Sequence, residues 1–255
     1  MFDFPVAAYI KFKRNFLRAV VFQFLFDETD RIMDKKGDII TLLISKFPRI
    51  NDVNGLEIKI AQNKTPIIQS KSNIIGGFEM RSQDGKKIIV INKTSIRFTI
   101  EGPEYKSFND IQDDVKDIVT ILGKCQINDI KRTSMRKINI FEFKDVKNIS
   151  DIIFFLLRQE LVGNACTMPN NEFIKQNMQL ISYKKADYQL NLNFGLNKEN
   201  LPEGVGQVIL DIDLLKNSET KIENIYDILN IINKEIFNVF IWAITDNTKQ
   251  FLENE

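Results

Sequence analysis

Apolar residues change period several times along this chain, and each change marks an element. Residues 16–26, FLRAVVFQFLF, are dense in β-branched and aromatic side chains and close on Asp27, the composition of a largely buried strand. Ile39, Ile40, Leu42, Leu43 and Phe47 then recur at helical spacing, with Pro48 as the stop. LEIKI (56–60), GGFEMRS (76–82), KIIVIN (87–92) and SIRFTIEG (95–102) alternate or run apolar, and Asp84-Gly85 supplies a hairpin turn that tolerates positive φ. The pattern predicts an antiparallel meander. Phe108, Ile111, Val115, Ile118, Val119 and Leu122 repeat at three and four, so a helix with one buried face follows, with Ser107 and Asp110 spaced as a loose capping box.

The second half runs in the same order. A long strand over about 127–143 precedes a cap at Asn148–Ser150 and a helix carrying Ile152, Ile153, Leu156 and Leu157. MQLISY (178–183), YQLNLNFGL (188–196) and, after the turn LPEGVG, QVILDIDLL (207–215) form a second meander. A long terminal helix is predicted from a capping box at Thr220 and Glu223, with Ile222, Ile225, Leu229, Ile232, Ile236, Phe237, Phe240 and Ile244 as its stripe. The expected class is α+β. Two similar halves, 1–125 and 126–255, each read strand, helix, antiparallel meander, long helix, the order of a duplicated TATA-binding-protein-like saddle packed as one continuous unit.

Composition narrows the chemistry. The 255 residues are 44% hydrophobic and 27% charged, proportions of a folded chain long enough to bury a sizeable core. Lys+Arg 35 against Asp+Glu 34 leaves a net charge of +1, so a nucleic-acid site would have to be a local patch. The 20 phenylalanines accompany many Ile, Lys and Asn residues, the set that AT-rich codon usage inflates. Cys125 and Cys166 have no CxxC partner and read as buried reduced thiols. The opening MFDFPVAAYIKFKR lacks a basic n-region and the longest apolar run, IIFFLL, is far below the ~20 residues that span a bilayer. A cytoplasmic location without membrane attachment is expected.

The absence of histidine closes the Ser-His-Asp and Cys-His schemes, imidazole bases and most zinc and iron ligand sets. No GxxxxGK[ST] or GxGxxG loop occurs. Asp211 and Asp213 are the best carboxylate pair: strand alternation puts both opposite Leu210, Ile212 and Leu214, roughly 7 Å apart. They are weak candidates for a divalent cation or for general acid/base work, against ion pairing with basic neighbours on an exposed sheet face. Arg132, Ser134 and Arg136 share one face of their strand, where the arginines could meet phosphates, an acidic partner, or Asp211 and Asp213. Lys11, Lys13, Arg14 and Arg18 form a basic cluster interleaved with Phe12 and Phe16, the composition of single-strand binding sites, although Phe16 also fits the core. Asp110, Asp113, Asp114 and Asp117 make an acidic helix face, and Trp242 stands outside the row of Ile236, Phe240 and Ile244 as a partner anchor or a residue under the chain's tail.

Several segments together resemble a sporadically distributed prokaryotic family of about 250 residues to which no function is assigned. They are the LRxVxFxxxF opening from Leu17 to Phe26, Phe47-Pro48, Tyr105 with Ser107 and Phe108, the RxxxRxIN strand from Arg132 to Asn139, Leu210-Asp211-Ile212-Asp213, and Phe240 with Ile244-Thr245 in the terminal helix. Lys137 stands where that family has an aromatic residue. The family offers no established catalytic residues to carry over, and no cofactor is expected; its patchy distribution is that of genes on mobile or defence-associated islands. The expected function is a non-enzymatic interaction protein, an adaptor, sensor or toxin-neutralising component whose protein partner is encoded nearby. Two alternatives stay open: a nucleic-acid-binding module on an open sheet face, and a histidine-free metal-dependent enzyme. A homo-oligomer is compatible with each.

Overall fold

The computed structural model describes all residues except 9, 11, 54–55, 58–69, 72–75, 145–148, 163–172 and 255, and only the backbone of 56–57, 70–71 and 149–151. Nine strands run five residues or more: β1 (Leu17–Leu25), β2 (Arg49–Val53), β5 (Gly77–Arg81), β6 (Lys87–Asn92), β7 (Ser95–Glu101), β9 (Arg132–Lys144), β10 (Gln176–Lys185), β11 (Tyr188–Asn197) and β12 (Val205–Lys216). Among the described residues they form one sheet in the order β10-β11-β12-β9-β1-β7-β6-β5-β2, with every neighbouring pair antiparallel. Two-residue strands pair apart from it: β3 (Leu56–Glu57) with β4 (Ser70–Lys71), and β8 (Asp129–Ile130) with β13 (Thr220–Lys221). The helices are α1 (Arg31–Asp34), α2 (Lys36–Leu43), α3 (Gln112–Lys124), α4 (Ile149–Leu156), α5 (Gln159–Val162), α6 (Ile225–Ala243) and α7 (Asp246–Glu253). The protein is α+β. On either side of the central β1–β9 pair, the last strand of each meander, β7 or β12, returns to that half's first strand.

Alternation sorts the sheet into two faces. Val20, Phe22 and Phe24 of β1, Phe98 and Ile100 of β7, Met135 of β9, and Leu210, Ile212 and Leu214 of β12 are buried on one side. Phe22 stacks on Phe98 directly across the strand pair, with ring centroids 5.9 Å apart, and Phe47 meets Phe98 edge-on. Removing each such side chain from water contributes about 2 kcal/mol, so this face dominates the core. The helices pack on it. Lys36 of α2 lies over the Phe78 ring, Asp114 of α3 holds Lys87, and Asn233 of α6 accepts from Lys137. α4 and α5 close over Phe194 and Leu196 of β11, and Phe251 of α7 stacks on Phe16, which packs on Phe141 of β9.

Local chemistry places the turns. Gly85 takes φ 79° in the β5–β6 hairpin, where Asp84 accepts from Ser82 and from the Lys86 amide, as the Asp-Gly signal predicts. Gly204 takes φ 76° in the predicted LPEGVG turn. Gly195 takes φ 142° within β11, and a Cβ there would sit 1.9 Å from the Asn177 carbonyl oxygen of β10.

Four predicted details differ. Thr220 belongs to β13 and its hydroxyl donates to the Ser218 carbonyl, while α6 starts at Ile225 after a 3-10 turn, so no Thr220–Glu223 capping box forms. The Ser107 hydroxyl donates to the Asp110 carboxylate, and α3, preceded by its own 3-10 turn, has no side-chain cap. The terminal helix is two: Ile244 leaves α6 to bridge Leu157, and Thr245 caps the short α7 by accepting from the Thr248 amide. β2 was not foreseen because its sequence, RINDV, is mostly polar, as an edge strand allows. Of LEIKI only Leu56–Glu57 is described, and the cap at Asn148 lies outside the described residues.

Candidate functional site

The second face of the sheet is assembled by the same alternation. Register places Arg132, Ser134 and Arg136 of β9 beside Leu25, Gln23 and Val21 of β1 on one flank, and beside Leu215 and Asp213 of β12 on the other. Asp211 and Asp213 stand opposite Leu210, Ile212 and Leu214, as the alternation predicts. The rows continue through Gln189, Asn191 and Asn193 of β11 and Ser182 of β10 on one wing, and through Arg97 and Thr99 of β7 and Glu79 and Arg81 of β5 on the other. None of the residues that register puts on this face is aromatic. Every ring in the nine strands faces the helices.

Arg136 and Asp211 join across the β9–β12 pair by two bonds, Nε to Oδ1 at 2.8 Å and Nη2 to Oδ2 at 2.5 Å. Asp211 is buried and Arg136 half-buried, so the planar fork is the matching donor for a carboxylate removed from water. Burial opposes the arginine's charge, but the bond and field of Asp211 outweigh it and raise the pKa further. Asp213, directly opposite Arg136, has its pKa raised to about 6; burial is the main cause, with the Asp211 charge adding to it and Arg136, the Asn191 hydrogen bond and Arg132 opposing. Arg132 donates from Nη2 to Gln23 at 3.4 Å, while its buried Nε has no hydrogen-bond partner. Asn191 accepts from the Ser182 hydroxyl and, at 2.9 Å, from Gln189 Nε2; on the far wing Arg81 grips Glu79. The result is a patch in which the Arg136–Asp211 pair and bonded amides sit among Val21, Leu25 and Leu215.

Both Asp211 oxygens accept from Arg136, whose positive charge beside them disfavours a bound cation. Among the described residues no group of three or more Cys, Asp or Glu side chains converges as a metal site would require.

The other candidates lie elsewhere. Arg18 is exposed, and Lys11 lies outside the described residues, as does Cys166. Lys13 and Arg14 are tied through their amides to the Leu252 carbonyl, and the Arg14 guanidinium lies 4.6 Å from the centre of the Phe251 ring. Phe12 packs on Phe240 and Phe16 between Phe141 and Phe251, so the rings of the basic cluster are engaged in the core. The acidic helix face is partly paired: Lys46 reaches Asp114 and Asp117, and Lys87 reaches Asp114. Trp242 is packed edge-on by Phe4 of the N-terminal segment, with ring centroids 5.0 Å apart. Cys125 is buried, and burial pushes its thiol pKa up.

Sequence reasoning missed Lys137. It points the opposite way from Arg136, under α6, donating to Asn233 at 2.7 Å with its ammonium 4.9 Å from the Tyr105 ring centre, and burial lowers its pKa to about 8. Asn191 and Asn193 were also missed, although the alternation of QLNLNF already put them on one face.

A scan against models of known protein families finds no match, and a search of curated proteins finds no relative. The family resemblance rests on the segments quoted from the sequence. Among the described residues no helix is long and apolar enough to cross a membrane.

Proposed function

We propose that the chain is a non-enzymatic interaction protein, an adaptor, sensor or toxin-neutralising component, that binds a protein partner through the polar face of its sheet. The observation that carries this reading is a nine-stranded sheet whose described helix contacts all fall on one side, leaving on the other arginine, aspartate and amide side chains set among aliphatic ones such as Val21, Leu25, Val90 and Leu215. Antiparallel sheets can leave one face to water, and such faces alternate cleanly. Here the centre of that face is half-buried, and Arg136 and Asp211 are paired in place. A surface so preorganised loses little side-chain entropy on binding, and arginine is enriched at interfaces.

The ring-free face weighs against single-stranded nucleic acid, whose sites combine basic grooves with aromatic stacking platforms. The connectivity about β1 and β9 supports reading the halves as a duplicated, TATA-binding-protein-like order, but fold alone does not assign function. The zero histidine count and the engaged oxygens of Asp211 support a binding role over hydrolysis. The N-terminal composition and short apolar runs favour a cytoplasmic setting, and the family resemblance adds a partner encoded on the same mobile or defence-associated island.

Affinity purification of the tagged chain from cells carrying its native gene neighbourhood tests this, alongside Arg132→Glu and Asn193→Lys variants whose melting matches the parent. A stoichiometric protein that co-purifies with the parent and is lost with either variant is the expected result. Retention of that protein by both variants moves the contact off this face. A nuclease-sensitive, salt-sensitive nucleic acid in place of a protein overturns the reading.

A further inference from the structure

β10 forms one edge of the sheet, pairing among the described residues with β11 alone. An edge strand presents a row of backbone donors and acceptors to whatever can pair with it, and natural edges are commonly blunted by brevity, proline, bulges or charge. The opposite edge, β2, is short, five residues with two charges. β10 is ten residues long, contains no proline, keeps an unbroken register with β11, and carries its cations, Lys184 and Lys185, only at the last two positions. In its middle Leu180 is 69% exposed, an aliphatic side chain standing on the polar face beside Asn193.

We propose that β10 pairs antiparallel with β10 of a second copy of this chain, joining two nine-stranded sheets about a twofold axis. The charge pattern selects the geometry. Parallel pairing sets Lys184 and Lys185 against the same residues of the copy, whereas like charges directly opposite destabilise a pair. Antiparallel pairing centred on Ile181 sets Lys185 opposite Asn177 and Lys184 opposite Met178, with no acid on the strand to be left unmatched. In that register Leu180 faces Ser182 of the copy, and the two Leu180 side chains meet on the diagonal and cover each other. A twofold axis normal to the sheet keeps faces matched, so the two polar faces become one surface and all the helices lie beneath it.

Sedimentation velocity over a micromolar concentration series, with hydrogen exchange at each concentration, tests the pairing in the full chain. The expected result is a monomer–dimer equilibrium in which amides of residues 176–185 slow with concentration while those of β2 do not. Leu180→Lys, at an exposed position and checked for unchanged melting, weakens the dimer at least tenfold, and mixing it with Leu180→Glu restores dimers as a heteropair. A monomer at every concentration overturns the proposal, as does a dimer indifferent to Leu180→Lys or a β10 edge that pairs only with a strand from another protein. A monomer leaves the partner experiment above untouched, and loss of that partner leaves the dimer standing.

Discussion

Arg136 and Asp211 show how a single pair decides what a sheet face can do. Leaving a buried carboxylate without its partner costs about 3–5 kcal/mol in comparable sites, whereas replacing both members of a buried pair is often nearly neutral. Arg136→Met therefore lowers stability by about 3 kcal/mol in urea unfolding, and adding Asp211→Asn recovers most of it. Lys137 acts through pH. Folded protein releases its proton near pH 8, whereas the unfolded chain holds it to 10.5, so between these values the unfolded state binds more protons and stability rises with pH, by at most roughly 3 kcal/mol. Asp213 works in the acid range with the opposite slope: folded, it keeps its proton to about 6, against 3.8 unfolded, so its contribution is full below 3.8 and is lost as pH rises through 6. Denaturation midpoints across pH check both, since Lys137→Met flattens the first window and Asp213→Asn the second.

Elements depend on backbone features that side-chain patterns only partly reveal. Gly195 holds a φ of 142° where a Cβ would collide with the Asn177 carbonyl, so Gly195→Ala strains β11 and loosens β10 from it. The expected loss is about 1–3 kcal/mol, with amide exchange quickened across Gln176–Lys185 and unchanged in β1. Thr245→Ala removes the cap of α7 and costs about 1 kcal/mol, seen as a lower melting temperature. Strand periodicity was legible because alternation with a buried face leaves a period of two, and β1 and β11 follow it closely, while β9 and β12 at the sheet's centre bury residues on both faces. The break between α6 and α7 was not, because Ile244 continues the helical stripe and leaves it only to pair with Leu157, a residue from another part of the chain.

At the scale of the molecule, β1 and β9 lie side by side at the centre of the sheet, so 1–125 and 126–255 share one set of hydrogen-bond ladders and one hydrophobic core. Unfolding is therefore expected as a single transition with coincident near- and far-ultraviolet signals. A fragment of 126–255 exposes the long edge of β9 and aggregates, which light scattering detects. Two separate transitions in the full chain would contradict this.

The class of fold, the strand faces, the hairpin at Asp84-Gly85 and the common face of Arg132, Arg136, Asp211 and Asp213 were written in local pattern, since period and turn chemistry depend only on near neighbours. Tertiary structure decided the rest. Which arginine meets which aspartate depends on the β9–β12 register, and a shift of one residue would send every side chain to the other face. Lys137 under α6, Trp242 beneath Phe4, and the engagement of Phe12 and Phe16 by Phe240, Phe141 and Phe251 all join residues about 100 or more positions apart. Contacts at that separation are set by which elements pack together, and no local period records them.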